Sequence, residues 1–358
     1  MNSIYRNTYS EINLKNIYKN YLSVKKCINT KNIIPVVKAN AYGHGVIDVV
    51  RYLLSKNIDY YAVSTLEEAI ELRKEFDKID ILVMGIVQRK YFEIAAKSNF
   101  VITISNFDQI ADLALLKTTL KVHLKVDSGM NRLGFKKDKD ILNIFDILSS
   151  NSMIIIEGIY THFSTADNNY DYYKYQLRRF EQVLKMIPYN FDMVHASNSS
   201  SSIKYEQEIP FTTHVRLGIS LYGLTLDSDT KFLENTYKLI THVSEIKHLD
   251  IGDKVGYGAT YTAKQKEIIG VLPIGYADGF IRKNRDGDVE INGKRYQIIG
   301  TICMDQMFIK IDDNISKKDD VILFGGLISI DEVATRLDTI NYEIICQITY
   351  RVPKIYSK

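Results

Sequence analysis

Short apolar runs alternate with stretches of helical periodicity over the first two-thirds of the chain. Several runs, such as Ile33–Val37 and Phe100–Ile104, are apolar at successive positions, which is typical of strands buried on both faces of a parallel sheet. The predicted strands are Ile33–Val37, Tyr60–Val63, Ile79–Met84, Phe100–Ile104, Leu120–Val126, Ile154–Thr161, Asp192–His195 and Val215–Leu221. Eight strands with helices between them predict an α/β fold, a (β/α)8 barrel of the TIM type.

Amphipathic stretches lie between these strands. The predicted helices are Ile47–Leu54, Leu66–Lys74, Phe107–Leu116, Ile141–Leu148 and Tyr172–Met186. Ser105 and Asn106 offer an N-cap before Phe107. An additional helix, from about Asn13 to Cys27, precedes the first barrel strand.

The pattern changes after about Leu226, where helical periodicity becomes scarce and short alternating runs with Gly-rich turns take over. The sequence Ile291-Asn292-Gly293-Lys294 carries a hairpin signal. The predicted strands here are Lys238–Lys247, Glu267–Pro273, Asp288–Ile291, Lys294–Gly300, Met307–Ile311 and Asp320–Phe324, with one helix at Ser329–Leu337. We therefore predict a barrel domain, residues 1–228, and a mainly β C-terminal domain, residues 229–358, with which the first ten or so residues are expected to pack.

Composition narrows the class of protein. Of 358 residues, 46% are hydrophobic and 25% charged, which is typical of a soluble globular protein. The net charge of +3 comes from basic and acidic residues in nearly equal number, scattered along the chain, so neither nucleic acid nor a membrane is an expected partner. Cys27, Cys303 and Cys346 are far apart and without zinc-ligand spacing, which fits a reducing compartment. With no apolar signal segment and no 18-residue apolar run, the expected location is the cytoplasm.

Lys38 is the first candidate for chemistry, because it follows the fully apolar run Ile33–Val37. The carboxyl ends of barrel strands form the active-site face. Partial desolvation there would lower the pKa of the lysine, and a neutral amine can attack an aldehyde. The alternative is a lysine that merely extends from the strand end to water.

The residues around Lys38 favour the first interpretation. Val36–Gly45 reads VVKANAYGHG and resembles the N-terminal signature of the alanine racemase family, V-x-K-A-(D or N)-A-Y-G-H-G. The resemblance implies that Lys38 binds pyridoxal 5'-phosphate (PLP) covalently and that Tyr42 reaches the phosphate of this cofactor. It extends over nearly the whole chain, from about residue 5 to residue 356.

A second block, Lys125–Gly134, reads KVDSGMNRLG and resembles the family's KVDTGMGRLG. It differs at Ser128 and Asn131, beside Arg132 rather than at it. By this resemblance Arg132 bonds the phenolic oxygen of PLP and helps to hold the substrate carboxylate, a role that suits a permanently charged side chain with several donors. Lys125 is the position at which family members often carry a carbamate.

Further sequence segments that resemble the family lie at the ends of predicted strands or just after them. By resemblance the phosphate is bound by Ser199, by the backbone of Gly218 and Ile219, and by Tyr350. His162 is expected between Arg216 and a catalytic tyrosine. Arg216 matches the arginine that faces the pyridine nitrogen of PLP. Because arginine only donates hydrogen bonds, that nitrogen must accept and so stays unprotonated, which weakens the cofactor as an electron sink and favours prompt reprotonation of the substrate.

The C-terminal part supplies the remaining candidates. The stretch Tyr257–Tyr261 matches the family's Y-G-x-x-Y pattern, and the resemblance makes Tyr261 a catalytic base. Cationic groups, such as Arg216 acting through His162, are expected to lower its pKa. Tyr276 and the backbone of Met304 are expected at the substrate, with Tyr276 narrowing the entrance. The nearby position that is often Arg in relatives is Thr301 here.

The implied activity is interconversion of L- and D-alanine, which supplies D-alanine for peptidoglycan. Racemisation removes a proton from one face of Cα and returns one to the other, so two bases are expected, Lys38 and Tyr261. The resemblance also implies a homodimer whose sites are shared between subunits, and it implies no metal. The alternatives are a serine or broad-specificity amino-acid racemase, a non-enzymatic PLP-binding protein and, more distantly, a PLP decarboxylase.

Overall fold

The computed structural model describes residues 5–28, 31–110, 113, 116–225 and 232–357. The chain divides into two compact units. The first, the barrel unit, contains residues 18–41 and 46–233, and the second, the β unit, contains residues up to 17, residues 42–45 and the chain from 234 onward. The predicted domain boundary at residues 228 and 229 lies outside the described residues.

Eight parallel strands form the sheet of the barrel unit. They are Asn32–Pro35, Tyr60–Val63, Asp80–Ile86, Phe100–Ile104, Leu120–Lys125, Ile154–Tyr160, Met193–His195 and His214–Leu217. The first and last strands pair with each other, and a parallel bridge between Val36 and Ala62 joins the first two, which closes the barrel. The predicted (β/α)8 barrel is confirmed.

The longer helices around the barrel follow the apolar periodicity, whereas Phe92–Lys97 and Ser199–Lys204 were not predicted. In chain order the helices are Leu14–Cys27, Val46–Leu54, Leu66–Glu75, Phe92–Lys97, Asp138–Ser149, Tyr170–Met186 and Ser199–Lys204. The helix predicted at Phe107–Leu116 begins as a short 3-10 turn, Phe107–Gln109, capped by the side chain of Asn106, and residues 111, 112, 114 and 115 lie outside the described part.

Two predicted barrel strands end two or more residues earlier than expected. The strand predicted at Val215–Leu221 ends at Leu217, because Gly218 turns the chain (φ −100°, ψ −105°) into the 3-10 turn Ile219–Tyr222. The strand predicted to run through Val37 is regular only to Pro35. Both shortened ends lie at the carboxyl end of the barrel, where loops carry the candidate site.

A left-handed turn follows Lys38. The φ angles of Ala39, Asn40, Ala41 and Tyr42 lie between +51° and +54°. For L-residues this conformation costs roughly 1–2 kcal/mol each, and it is normally found in single residues. Strain of this kind is concentrated at functional sites, so the turn marks Lys38 as a position held by its surroundings.

The β unit is built on a nine-stranded, mainly antiparallel sheet. In sheet order its strands are Glu245–Leu249, Glu267–Leu272, Met307–Ile311, Lys294–Ile299, Asp288–Ile291, Asp320–Phe324, Tyr237–His242, Tyr9–Asn13 and Lys354–Ser357. A separate two-stranded sheet pairs Lys254–Val255 with Tyr261–Thr262. The Asn292-Gly293 hairpin is confirmed, with both residues at positive φ.

Two further predictions for this unit need correction. The single strand predicted at Lys238–Lys247 is two strands, broken after His242. The predicted helix is Ile330–Leu337 with Ser329 as its N-cap, and a second helix, Asn341–Cys346, was not predicted because it is only six residues long. Across the described part of the chain, no helix has the length and apolar character needed to cross a membrane, and no three potential metal ligands cluster together.

Candidate active site

Arg216 is the centre of a buried polar cluster at the end of the last barrel strand, and only 3% of it is exposed. Its Nη1 donates to Nδ1 of His195 at 2.7 Å, and its Nη2 donates to Nδ1 of His162 at 3.1 Å. Nη2 also donates to the carbonyl oxygens of Thr161 at 2.9 Å and Ala196 at 3.0 Å. Burial lowers the pKa of Arg216 to about 10, so it remains a cation and a donor at neutral pH.

The two imidazoles that accept from Arg216 are neutral. Burial, followed by the charge of Arg216, holds the pKa of His162 and of His195 well below the usual value. Arg216 and His162, predicted as neighbours, are brought together. His195 was not singled out from the sequence, although it ends a predicted strand two residues before Ser197 and could have been found by its position on the active-site face.

Lys125 ends the strand Leu120–Lys125 and is 6% exposed. Its Nζ lies 4.2 Å from the ring centroid of Tyr160, and the guanidinium carbon of Arg216 lies 5.2 Å from the same centroid. Burial, then the charges of Arg216 and Arg132, hold the pKa of Lys125 well below its usual value. The amine is therefore readily uncharged, which is the form that carbamylation requires.

Arg132 is an exposed residue on the loop that follows Lys125, the first residues of which are buried. The carboxylate of Asp127 shapes this loop, because its Oδ1 accepts from the backbone N–H groups of Gly129 at 2.9 Å and Asn131 at 3.0 Å. Asn131 has φ +55°, a left-handed conformation that asparagine tolerates better than most residues, which explains why it can stand where relatives have glycine. Arg132, Asp127 and Asn131 line an open cavity of about 320 Å³.

Ser199 and Gly218, both predicted to bind phosphate, are in direct contact. The hydroxyl of Ser199 accepts from the backbone N–H of Gly218 at 3.2 Å and of Ser220 at 3.3 Å. Ile219 lies between these two donors. The hydroxyl proton of Ser199 is left to donate, so the group can present both a hydroxyl and nearby N–H groups to an anion.

Glu68 supports the left-handed turn after Lys38. The backbone N–H of Ala39 donates to Oε1 of Glu68 at 2.6 Å, and that of Ser64 donates to Oε2 at 2.7 Å. A hydrogen bond within the segment also stabilises the turn, because Oδ1 of Asn40 accepts from the N–H of Val46 at 2.7 Å. Glu68 was not predicted from the sequence, although a Thr–x–x–Glu capping box was a readable signal there.

Tyr42 and His44, at the end of the same motif, belong to the β unit. Tyr42 is buried, and its ring centroid lies 6.1 Å from that of Tyr342. The fully buried His44 bridges the backbone oxygen of Tyr42 at 3.1 Å and the hydroxyl of Thr236 at 2.8 Å. These contacts fix the backbone of Tyr42 within the β unit.

Tyr261 contacts a carboxylate. Its hydroxyl donates to Oε2 of Glu267, whose Oε1 accepts from Nζ of Lys310 at 2.8 Å. Burial, then the hydrogen bond and charge of Glu267, raise the pKa of Tyr261 to about 12. The prediction of a lowered pKa is therefore wrong for the single chain, because the charge that its hydroxyl meets is negative.

Tyr276 lies on a tightly packed loop. A Cβ on Gly275 would lie 2.3 Å from the backbone oxygen of Cys303 and 2.4 Å from that of Met304, so only glycine fits there. The N–H of Tyr276 donates to the oxygen of Cys303 at 3.1 Å, which joins Tyr276 to the segment that contains Met304. The side chains of Tyr276 and Met304 are 39% and 52% exposed and line an open cavity of about 740 Å³.

Asp278 connects this loop to the segment that carries Tyr350. The fully buried carboxylate accepts from Arg6 at 2.8 and 3.0 Å, and Arg351 lies 3.5 Å away. The backbone of Asp278 also accepts from the N–H of Thr349 at 3.0 Å. Tyr350 itself is 95% exposed.

Thr301 is buried, and its hydroxyl lies 3.1 Å from that of Thr260, so it packs inside the β unit.

The barrel carries a lysine and a buried, histidine-bound arginine at its carboxyl end. The same chain has a mainly β unit that carries a tyrosine. This combination is typical of barrel-type amino-acid racemases. Two family models match: the alanine racemase N-terminal domain over residues 12–226 and the alanine racemase C-terminal domain over residues 236–356. The chain belongs to the alanine racemase family.

Individual relatives agree with this assignment. The chain is 38% identical to the alanine racemase of Anoxybacillus flavithermus, over 99% of this chain and 96% of the relative. The crystal structure of alanine racemase from Bacillus anthracis with bound L-Ala-P matches with a TM-score of 0.93 at 34% identity, over 99% of this chain and 96% of that one. Histidine racemase from Leuconostoc mesenteroides also matches, with a TM-score of 0.92 at 27% identity over the full length of both chains.

Proposed function

We propose that this chain interconverts L- and D-alanine with PLP as its cofactor. The observation that carries the proposal is Arg216, a buried cation held by two neutral imidazoles and two carbonyl oxygens at the active-site end of the barrel. A fixed donor in this place suits a ring nitrogen that must accept a hydrogen bond. The family match, over residues 12–226 and 236–356, supports the same reaction.

The barrel residues fit such a cofactor. The buried hydroxyls of Ser197 and Ser220 have no hydrogen-bond partner among the described residues, and Ser199 adds a third hydroxyl beside the N–H of Gly218. Both terminal nitrogens of Arg216 are bonded to protein, and its Nε makes no hydrogen bond to any described residue. These groups could hold a phosphate and a pyridine ring, with Ile219, Tyr42 and Tyr350 as further candidates for the phosphate.

When bound, PLP would supply an electron sink that weakens the Cα–H bond of the amino acid. Nζ of Lys38 would hold the cofactor in the resting enzyme and then accept the Cα proton of the D-enantiomer. The hydroxyl of Tyr261 would return a proton to the opposite face, and the two roles would reverse for the L-enantiomer. Two fixed bases remove any need for the substrate to turn.

The remaining residues would bind and orient. Arg132 and the backbone N–H of Met304 would hold the substrate carboxylate, because a charge-assisted bond is strong and directional. A carbamate on Lys125 would place a negative charge between the positive charges of Arg132 and Arg216. Tyr276 would narrow the entrance and favour a small side chain.

We further propose a homodimer in which Tyr261 of one subunit serves the barrel of the other. Such an enzyme would act in the cytoplasm and supply D-alanine for peptidoglycan. The family relationship supports these assignments, and the scattered cysteines fit a reducing compartment.

A racemase of broader specificity, acting also on serine or larger amino acids, is the second candidate. It is favoured by the likeness to a histidine racemase over the full chain, since this fold accommodates a much larger side chain in that protein. The side chains at the entrance, Tyr276 among them, would decide between the two.

A racemisation assay over alanine, serine and histidine tests the proposal, with PLP absorbance recorded on the same samples. We expect alanine to be the best substrate. Lys38→Ala should lose turnover and the covalent absorbance band, and Tyr261→Phe should keep the band but lower kcat by about 10²–10⁴-fold. An absence of racemisation with every amino acid would overturn the proposal, and a fully active Tyr261→Phe would overturn the two-base assignment.

A further inference from the structure

A line of hydrogen bonds runs from Arg216 into the interior of the barrel. Nδ1 of His195 accepts from Arg216 at 2.7 Å, and Nε2 of His195 lies 2.8 Å from Nδ1 of His123. Nε2 of His123 lies 2.9 Å from Oε2 of Glu157, which also accepts from the hydroxyl of Tyr60 at 2.8 Å. Every member lies on a different strand of the barrel.

The donor properties of arginine fix the direction of every bond in this line. Arg216 can only donate, so Nδ1 of His195 must accept, and the proton of this neutral imidazole is on Nε2. That proton points at Nδ1 of His123, which must also accept. His123 therefore carries its proton on Nε2 and donates it to Glu157.

The line runs in this direction only if Oε2 of Glu157 accepts from His123, as an ionised carboxylate does. A protonated Glu157 that donated to His123 would reverse both tautomers and bring the Nδ1–H of His195 against the N–H of Arg216. Burial opposes ionisation of Glu157, whereas the hydrogen bonds from His123 and Tyr60 favour it, and the pKa of the carboxyl is lowered. Lys121, 3.8 Å from Oε1, acts in the same sense.

Burial makes the arrangement costly to disturb. His123 and His195 are fully buried, and Arg216 is nearly so. Among the described residues, no carboxylate lies within ion-pair distance of Arg216. The two imidazoles are aligned with their lone pairs toward the cation and their N–H groups toward the carboxylate, so Glu157 acts on Arg216 through their orientation.

We propose that Glu157 is a positioning residue for the reaction, which acts through His123 and His195 to fix the acceptor that holds Arg216 in place. The inference rests on the proposed function, because Arg216 is the residue expected to face the ring nitrogen of PLP. A carboxylate that sets a histidine tautomer is a known device for orienting catalytic groups. The competing interpretation is that Glu157 only ties strands together, as residues near the amino-terminal end of a barrel often do.

A neutron crystal structure of the PLP-loaded protein tests the line directly. We expect hydrogen on Nε2 of both His123 and His195, with Glu157 unprotonated. Hydrogen on Nδ1 of His123, or a proton on Oε2 of Glu157, would overturn the proposal. This readout does not depend on whether alanine is the substrate, so it separates failure of the proposal from failure of the proposed function.

Three variants test the effect on turnover. Glu157→Leu removes the acceptor and should lower kcat by about tenfold or more, with a smaller change in KM and a shifted PLP absorbance band. Glu157→Gln keeps an oxygen that can accept from His123 and should restore kcat to within about threefold of wild type. Tyr60→Phe removes the other bond to the same Oε2 but leaves the bond from His123, so it should keep kcat within about threefold of wild type.

A structural role predicts a different pattern. In that case Glu157→Leu would lower the melting temperature while kcat, KM and the absorbance band of the folded enzyme stayed at wild-type values, and the proposal would fail. It would also fail if Glu157→Gln were as impaired as Glu157→Leu. If the Leu variant does not fold, the neutron structure and the Gln variant still decide the question.

Discussion

Tyr261 acquires its chemistry from one neighbouring side chain. An isolated tyrosine has a pKa near 10, and burial, together with the contact with Glu267, raises the pKa of Tyr261 to about 12. The hydrogen bond from Lys310 to Glu267 is the largest cause of the lowered pKa of that carboxyl, so Lys310 keeps Glu267 ionised. The pair Glu267–Lys310 therefore keeps Tyr261 protonated and oriented as a donor.

Glu267→Gln should change the pH dependence of the reaction. Without the carboxylate the pKa of Tyr261 falls, and each unit of decrease raises the unprotonated fraction about tenfold at a given pH below it. For L-alanine, Tyr261 must accept a proton, so the acidic limb of the pH profile of kcat/KM should move to lower pH. For D-alanine, Tyr261 donates a proton, so the alkaline limb of the profile should also move to lower pH.

A matched control exists elsewhere in the β unit. Glu245 pairs with Lys317 at 2.8 Å, the same distance as in the Glu267–Lys310 pair. Glu245→Gln should leave both limbs in place. The role of Glu267 in setting the pKa of Tyr261 would be contradicted by an unchanged pH profile in Glu267→Gln. It would also be contradicted by equal shifts of the profile in the two variants.

At the scale of elements, the segment after Lys38 depends on backbone conformations that few residues adopt. Gly43 continues the left-handed turn with φ +80°, and a Cβ there would lie 2.2 Å from the backbone oxygen of Ile345. Both the conformation and the close approach therefore require glycine. Asn40, Ala39 and Glu68 then fix the rest of the turn through the hydrogen bonds described above.

Gly43→Ala should destabilise the protein more than a glycine substitution without a clash. Gly252 is the control, because it has a similar positive φ of +93° but no atom within 4 Å of the position that a Cβ would take. Both variants incur the backbone strain. Overpacking against Ile345 lowers the free energy of unfolding of Gly43→Ala by about a further 1–3 kcal/mol. Urea unfolding of both variants measures the difference, and equal losses would show that the contact with Ile345 relaxes freely.

At the scale of the whole molecule, the two proposed bases belong to different units, with Lys38 in the barrel unit and Tyr261 in the β unit. By family resemblance, each complete site is expected to take its barrel from one subunit and its tyrosine from the other. A two-fold dimer would then contain two such sites.

Mixing inactive variants tests this sharing. Lys38→Ala and Tyr261→Phe homodimers should each be nearly inactive, whereas a heterodimer would contain one site with both intact bases. We expect about a quarter of wild-type activity in a fully exchanged equal mixture, because half of the dimers would be mixed and half of their sites intact. No recovery in heterodimers verified by native mass spectrometry would count against shared sites.

Much of the architecture is local in origin and was predictable. The apolar runs predicted the barrel strands because a strand covered on both faces must be apolar throughout. The Asn-Gly hairpin followed from the preference of these residues for positive φ. The errors lie where short-range pattern is weak, as at Asn341–Cys346, or where one residue such as Gly218 ends a strand that the pattern would continue.

The candidate site divides in the same way. The residue types at Lys38, Arg132, Arg216 and Tyr261 were found from motifs, since a motif preserves the order of chemical groups along the chain. The roles of His195, Glu68 and Glu267 were missed because each acts through a contact that folding creates, although the positions of His195 and Glu68 could be read from the sequence. The predicted direction of the pKa shift of Tyr261 was wrong for the same reason.

The sequence alone determined which strands form a barrel, which residues lie at the carboxyl ends of those strands, and which family the motifs resemble. These properties depend on periodicity and on order along the chain. Only the tertiary structure decided which atoms meet: His123 and Glu157 are 34 residues apart, yet they are joined at 2.9 Å and complete a line of bonds to Arg216. Proton positions and pKa values follow from such contacts, because charge and hydrogen bonding act over a few ångströms of space and not along the chain.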